Sequence, residues 1–293
     1  MTDCQIAELT DRGVIRVAGS DAPGFLQGLV TNDVERVSDG VAVHSGLLTP
    51  QGKILFDFFL ARSGEDFLLD CAGPVVADLV KRLTFYKLRA AVEIADESGA
   101  RKVLAAWNGA PALTEGWVAF ADPRFAALGH RLIVPAEADL AATGCAAATE
   151  ADYHAHRIAL GVPEGGRDYE FGDTFPHEAD FDQLAGVDFD KGCFVGQEVV
   201  SRMQHRGTAR KRVVPIEGAT ALATGAEITA DGAPIGTVGS VADAQALALV
   251  RLDRAEKALA SGKALDAGGV AIRLRQPEWA SFDVPSGIQV RGA

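Results

Sequence analysis

The segment KGCFVGQEVVSR, residues 191–202, brings together the side chains best suited to chemistry. A thiolate is a nucleophile and a metal ligand, and a nearby ammonium such as that of Lys191 raises the thiolate fraction of a cysteine. Cys193 is therefore a candidate reactive thiol. Free cysteine is also among the most buried residue types, so a small buried hydrophobe is the alternative role. His177 and His205 are the nearest histidines, but their spacing indicates no cysteine–histidine pair.

Asp57 is a second candidate, because it interrupts the apolar run ILFDFFLA. Burying a carboxylate is costly unless it is paired or hydrogen-bonded, so such residues often face a functional site. There the carboxylate would accept hydrogen bonds from an amine or a ring N–H. The alternative is a solvent-facing position on a strand of alternating burial, with Phe56 and Phe58 pointing inward.

A basic stretch follows the first segment, since RMQHRGTARKR, residues 202–212, contains five Lys or Arg and no acidic residue. It is either a solvated strand or loop, or a docking surface for an anionic ligand. The chain as a whole carries a net charge of -12. That charge argues against broad binding of nucleic acid.

Several classes of site find no support in the sequence. The four cysteines lie far apart and form no CxxC, so no zinc or iron–sulfur ligand set can be inferred and we assign no metal ligand. A reducing compartment is the simpler interpretation. The chain contains neither GxxxxGK[ST] nor a GxGxxG between a strand and a helix, which removes the main support for nucleotide hydrolysis and dinucleotide redox chemistry.

The hydropathy of the chain predicts a soluble protein. No run approaches the roughly 18 to 20 apolar residues of a membrane span. The N-terminus has early acidic residues and no continuous apolar core of a signal peptide, so we expect the mature protein to begin near Met1. We expect a monomer in the cytoplasm, or in the mitochondrial matrix if the source is eukaryotic.

The elements that must position these residues alternate between strands and helices. A strand at 14–17 precedes a helix that Ser20–Pro23 would cap, and the turn Pro50-Gln51-Gly52-Lys53 joins two strands, the second of which contains Asp57. Residues 161–190 are rich in Gly, Pro, Asp and Glu, and so long a polar connection tends to be functional or disordered. From residue 213 onward, short strands and turns predict an antiparallel β-barrel of about 80 residues.

The string KGCFVGQE, residues 191–198, resembles the signature of the YgfZ family, folate-binding relatives of the glycine cleavage T protein, an aminomethyltransferase. SDAPGFLQGLVTNDV, LLTPQGKILFDFFLARSGEDFLL, HRIALGVPE and PHEADFD are similar to further T-protein segments in the expected order. The resemblance implies an α+β fold of three lobes, two of them α+β lobes around a central cavity and the third a C-terminal antiparallel β-barrel. We predict a folate-binding region over 1–207, with one lobe from 1–45 plus 146–207 and the other from 46–145, and the barrel over 208–293.

Two departures from the T-protein pattern bear on activity. Phe56-Asp57 stands where T-protein relatives carry paired aspartates, and Ala159 stands where they carry a glutamate that contacts the pterin. The resemblance therefore implies a relative that keeps a folate pocket but lacks the glutamate that anchors the pterin, and that has lost aminomethyl transfer.

The same resemblance implies a tetrahydrofolate-binding protein that assists the assembly or repair of iron–sulfur clusters, with a connection to tRNA modification. Its partners would be folate and iron–sulfur client enzymes or assembly proteins. Cys193 and Asp57 would be the catalytic residues. The residues expected to contact the cofactor are Asp57, Lys191, Gly192, Cys193, Phe194, Gln197, Glu198 and Arg202.

Individual roles can be added to that set. Gly192 and Gly196 would permit a tight turn or a close approach of the backbone, and the basic stretch is a further candidate contact for the glutamate tail of folate. Two alternative functions stay open. The first is folate-dependent one-carbon transfer. The second is a non-catalytic interaction module that binds folate as a structural ligand and uses Arg210, Lys211 and Arg212 for docking.

Overall fold

The computed structural model describes residues 4–207 and 209–286. The chain forms two compact units. The first contains Met1–Tyr153 and Leu184–Ser201, and the second contains His154–Gln183 and Arg202–Ala293.

The first unit is built on two five-stranded sheets and short helices. Its strands are β1 Gln5–Glu8, β2 Arg12–Ala18, β3 Val43–Leu48, β4 Ile54–Ser63, β5 Asp66–Ala72, β6 Glu93–Asp96, β7 Arg101–Trp107, β8 Val118–Ala121, β9 His130–Pro135 and β10 Ala146–Ala147. The helices are α1 Ala22–Gln27 and α2 Val76–Lys87, while α3 Glu150–Leu160 and α4 Gln197–Arg206 contribute residues to both units. The sheet orders are β3-β4-β5-β2-β6 and β10-β1-β7-β9-β8.

The sheet that carries Asp57 is buried on both faces. On one face its strands pack with α1 and α2 through residues such as Phe58, Leu26 and Leu79. On the other face Phe59 belongs to a second cluster that includes Ile133 of the other sheet. This explains why ILFDFFLA is apolar at every position except Asp57 instead of alternating, as is usual for a strand buried on both sides.

The grouping of strands differs from the predicted lobes. β2 pairs with β5 and β6, so residues 12–18 lie in the same sheet as β3, β4, β5 and β6. The boundaries predicted for the two lobes, 1–45 plus 146–207 and 46–145, therefore do not coincide with those of the sheets. Sequence similarity along a hairpin does not reveal that an earlier strand inserts beside it.

A disulfide joins Cys4 to Cys145 across 141 residues of sequence. It lies beside the parallel pairing of β1 with β10, in which Gln5 is opposite Ala146. We inferred a reducing compartment from the absence of short-range cysteine motifs, and this bonded pair does not fit that inference. The spacing could not show it, because the fold alone makes β1 and β10, the first and last strands of this sheet in the sequence, neighbours.

The polar connection of the second unit is ordered and largely buried. Arg157 of α3 is fully buried and donates to Asp168 at 2.6 Å, to the Val162 carbonyl at 2.7 Å and to Ser240 at 2.8 Å. The charged residues of this connection thus serve largely as internal partners of buried arginines. Of the two alternatives for residues 161–190, disorder is excluded.

The second unit also contains the predicted barrel. Its strands are β11 Lys211–Gly218, β12 Glu227–Ala230, β13 Ala233–Ala242, β14 Gln245–Arg251, β15 Leu265–Ala267 and β16 Val270–Leu274, with helix α5 Leu252–Ala260 between β14 and β15. They close in the order β11-β14-β13-β12-β15-β16, all antiparallel. Among the described residues, no helix is long and apolar enough to span a bilayer.

Candidate functional site

The signature segment, residues 191–198, lies in the first unit and is fixed at its start by Lys191. The buried ammonium of Lys191 donates to the carbonyls of Gln27 at 2.9 Å, Val30 at 2.6 Å and Asn32 at 2.8 Å. These carbonyls lie at and just beyond the C-terminal end of α1, where a helix leaves acceptors unsatisfied and favours a cation. Lys191 therefore attaches the signature segment to α1.

Burial lowers the pKa of Lys191 to about 8, although Asp33 and Asp188 act in the opposite direction. The Nζ atom also lies 5.4 Å from the centre of the Phe194 ring. Its donors are thus committed to carbonyls of the main chain. The expected role of Lys191 in activating Cys193 finds no support in these contacts.

Asp188 shapes the approach to the signature segment. Its Oδ1 accepts the backbone N–H groups of Asp190 at 2.8 Å and Lys191 at 3.2 Å, and its Oδ2 pairs with Arg36 at 2.7 Å. An aspartate that accepts backbone N–H groups two and three residues ahead stabilises a turn. These contacts of Asp188 therefore fix the conformation of the turn that precedes the signature segment.

The end of the segment is held by a close approach between two glycines. Gly196 has φ +82°, and a Cβ atom there would lie 2.6 Å from the Thr49 carbonyl oxygen and 3.0 Å from the Gly52 Cα. A Cβ atom on Gly52 would lie 2.8 Å from the Val199 Cβ. Only glycine permits both the conformation and the contact, so Gly196 has the predicted role. At Gly192 an added Cβ meets open space, so that part of the prediction is wrong.

Cys193 is exposed between these two attachments. The buried-hydrophobe role considered for it belongs instead to Cys71, which is fully buried. Burial raises the pKa of the Cys71 thiol to about 12. The two free thiols of the chain thus differ in access, and Cys193 is the one that a second molecule can reach.

Asp57 is buried on β4, with 6% of its surface exposed, so the solvent-facing alternative is wrong. Its Oδ2 lies 3.9 Å from Nε2 of His44, which is buried on the neighbouring strand β3. The His44 ring is 5.5 Å from the ring of Phe59, the residue opposite it in the hairpin. Because residues diagonal to each other on paired strands share a face, the hairpin brings a carboxylate and an imidazole together.

Sequence reasoning missed His44. The one available signal was a histidine within the apolar strand VAVHSGLLT, next to a turn whose other strand carried the noted aspartate. It also missed the cations around Phe59, which is 4.6 Å from the Arg131 guanidinium and 4.8 Å from that of Arg124. Both arginines are buried with Asp122, and their charge lowers the pKa of that carboxyl.

The Thr31-Asn32 pair connects the Asp57 hairpin to the start of the signature segment. Asn32 Nδ2 donates to the carbonyls of His44 at 2.8 Å and Ala185 at 2.6 Å, and Thr31 Oγ1 donates to the Gly186 carbonyl at 2.6 Å. Both side chains are buried. The loop after α1 is therefore a junction that positions both candidate sites.

The remaining predicted residues differ in exposure. Phe194 is buried, Gln197 is half-buried at the first position of α4, and Glu198 and Arg202 are exposed on that helix. Ala159 of α3 is exposed. None of these positions tests a cofactor role, which stays a prediction.

The basic stretch is not a uniform surface. Arg212 is buried and donates to the His177 carbonyl at 2.7 Å and to Asp182 at 2.9 Å. Its guanidinium also lies 4.5 Å from the centre of the Phe282 ring. Arg212 is therefore an internal ion-pair partner and cannot be part of the docking set Arg210, Lys211 and Arg212.

Comparison with known proteins bears on the family. Residues 210–282 match the family model of the CAF17 C-terminal beta-barrel domain. A human protein named iron-sulfur cluster assembly factor IBA57, mitochondrial, is 33% identical over 299 residues, which cover 92% of this chain and 84% of the human protein. The chain belongs to the IBA57 family.

Fungal relatives in this family are longer. The IBA57 homologues of Mycosarcoma maydis and Neurospora crassa are 35% and 32% identical, and the alignments cover 72% and 78% of this chain. The chain spans just over half the length of these relatives, 57% and 56%. Their names place them in mitochondria, which agrees with the compartment expected for a eukaryotic source. These relatives are named as IBA57 proteins, so the resemblance to the YgfZ family stays a prediction.

A solved structure supports the fold. The glycine cleavage system aminomethyltransferase T of Bartonella henselae superposes with a TM-score of 0.73 at 18% identity, covering 95% of this chain and 87% of that protein. The predicted T-protein-like α+β fold with a C-terminal barrel is confirmed. At this identity the likeness concerns the fold alone.

Proposed function

We propose that this chain assists the assembly or repair of iron–sulfur clusters in client enzymes and that it acts through the Cys193 thiol. The observation that carries the proposal is the exposure of Cys193 on a segment attached at both ends. Cysteine thiolates are the usual protein ligands of iron in these clusters. An exposed thiol on a fixed segment can reach a cluster that another protein holds.

The other cysteines of the chain are not available for this role. Cys4 and Cys145 are bonded to each other, and Cys71 is buried with a raised pKa. Since a cluster commonly takes four protein ligands, one thiol is too few. In this proposal the cluster is cargo, and an assembly protein or a client enzyme supplies the remaining ligands.

Tetrahydrofolate is the cofactor we propose for the first unit. The buried Asp57 carboxylate beside His44 is the kind of acceptor that the N–H groups of a pterin need, and its placement in an apolar sheet fits an aromatic ring. Bound tetrahydrofolate would supply a carrier of one-carbon groups. Phe194, Gln197 and Glu198 of the same unit remain candidate contacts.

Aminomethyl transfer has weaker support than cluster assembly. Phe56, at the position of the other aspartate of the pair in T-protein relatives, is buried and cannot accept a proton or a hydrogen bond through its side chain. Ala159 likewise offers no carboxylate. We therefore propose folate as a bound cofactor without that reaction.

The test of the thiol is complementation in cells that lack their own relative of this chain. We expect Cys193→Ser to leave cluster-dependent enzymes at the activity of the empty vector. The matched control is Gly192→Ala, which alters the adjacent residue where a Cβ meets open space. Full client activity with Cys193→Ser at equal protein abundance would refute the role of the thiol.

The test of the cofactor is anaerobic calorimetric titration of the whole chain with tetrahydrofolate. We expect one-to-one binding that Asp57→Asn weakens by about tenfold or more, since a buried charged acceptor is lost. Glu65→Gln, at a fully exposed carboxylate, should leave the affinity unchanged. No binding by the native chain would remove the folate proposal and leave that for Cys193 intact.

A further inference from the structure

We propose that the C-terminal end of α2 is a docking surface for a protein partner that presents an acidic segment with an apolar side chain. This α2 patch consists of Lys81, Arg82, Phe85, Lys87, Leu88 and Arg89. It lies in the first unit and goes beyond the function proposed above, on which it does not depend.

The two apolar side chains of the α2 patch are exposed to an unusual degree. Phe85 is 72% exposed and Leu88 is 88% exposed, although α2 buries Val76, Leu79 and Leu83 on its other side. Single exposed apolar residues are common, but two large ones within four positions form a patch. Aromatic residues are enriched where protein partners bind.

The backbone at Leu88 adds a second observation. Leu88 ends α2 with φ +47° and ψ -107°, a region that residues with a Cβ rarely adopt. A glycine would make this turn without strain. Strained conformations concentrate at binding and switch sites, and here the strained residue presents its side chain to solvent.

The charge of the α2 patch is opposite to that of the chain. Lys81, Arg82, Lys87 and Arg89 are cationic in a molecule of net charge -12, and none of the four is in an ion pair within the described residues. Lys87 and Arg89 suit the C-terminal end of a helix, whose dipole favours cations in the last turn. Lys81 and Arg82 lie too far from that end for the same explanation.

A cleft beside these cations indicates the kind of partner. It has a volume of about 510 Å³ and is lined by Phe56, Asp78, Lys81, Arg82 and Phe85. A cleft next to projecting apolar groups can receive a side chain from a protein segment. A flat bilayer surface has no side chain to place in it.

The first experiment is photo-cross-linking in cells that produce the full chain with p-benzoylphenylalanine at position 85 or 88. The control carries the same residue at Leu113, which is 60% exposed and lies outside the α2 patch. We expect cross-links from 85 and 88 to a peptide in which acidic residues flank an apolar one. The proposal is overturned if cross-linking does not exceed that from position 113, or if it captures lipid, nucleic acid, a segment without acidic residues or a second copy of this chain.

The second experiment uses the cross-linked peptide, synthesised and titrated against the purified full chain. We expect the double variant K81E/R82E to weaken binding by about tenfold or more, because two attractive charges become repulsive. The matched control R254E/K257E makes the same change of charge on exposed residues of α5 and should alter the affinity by less than about twofold. Equal effects of the two variants would show that only net charge matters and would overturn the proposal.

Discussion

Three backbone carbonyls accept hydrogen bonds from the ammonium of Lys191. These contacts fix the start of the signature segment, two residues before the exposed Cys193. The sequence pattern placed a lysine two residues before the cysteine, which we interpreted as activation of the thiol. The contacts indicate attachment instead. A charged group with three protons suits three acceptors, which a neutral residue of similar length cannot satisfy.

The pH dependence of stability should reveal this buried charge. The pKa of Lys191 is lowered to about 8 in the fold, from an ordinary value of 10.5. Between these pH values the unfolded chain binds more protons at this residue than the folded chain, so the contribution of Lys191 to stability rises with pH. We expect the difference in unfolding free energy between the native chain and Lys191→Met to grow from pH 8 to pH 10.5. Urea unfolding at three pH values measures it, and a constant or shrinking difference would contradict the assignment.

At the scale of elements, the β3–β4 hairpin and the start of α4 define the site together. Gly52 and Gly196 let the hairpin turn and the end of the signature segment approach each other more closely than side chains would permit. The same hairpin carries His44 and Asp57. The contact between Gly52 and Gly196 thus connects the segment that carries Cys193 to the hairpin that carries Asp57.

Alanine substitutions at Gly196 and Gly192 distinguish loss of the close approach at Gly196 from a general effect of substitution in the signature segment. Gly196→Ala should destabilise the first unit by about 2 kcal/mol or more, because positive φ and a short contact with a carbonyl act together. Gly192→Ala should change stability by less than about 0.5 kcal/mol, as expected for an exposed residue without contacts. Urea unfolding followed by circular dichroism distinguishes them, and equal effects would refute the role of the close approach.

At the scale of the whole molecule, the chain combines a covalent connection with ordered ion pairs. The Cys4–Cys145 disulfide closes a long loop of the first unit. Arg157 and Arg212 of the second unit organise the acidic connection from within. Some of the carboxylates that make the net charge negative are therefore paired with buried arginines and do not contribute to an acidic surface.

The disulfide predicts a dependence of stability on reductant. Closing so long a loop should stabilise the chain by about 2 to 5 kcal/mol. Dithiothreitol should lower the urea midpoint of the native chain, and the double variant Cys4→Ser/Cys145→Ser should match the reduced protein and show no further response. If the native midpoint does not move while mass spectrometry confirms reduction, the bond has no role in stability.

The sequence predicted the fold where a local pattern determines it. The barrel follows from short alternating strands and turn residues, and the glycine at 196 from a motif with internal glycines. It could not predict the Cys4–Cys145 pair, the insertion of β2 beside β5, or the partners of Lys191 and Arg212, because each depends on contacts between residues distant in sequence. Asp57 was recognised as unusual, but its burial beside His44 needed the register of a hairpin.

The most direct test of the account is the cluster content of a client enzyme. The client would be purified from cells that carry the native chain, Cys193→Ser or Gly192→Ala, and its iron and acid-labile sulfide would be measured per polypeptide. We predict a several-fold loss of both with Cys193→Ser and native content with Gly192→Ala. Native cluster content with Cys193→Ser, at equal abundance of the chain, would contradict the claim that this exposed thiol is the working group.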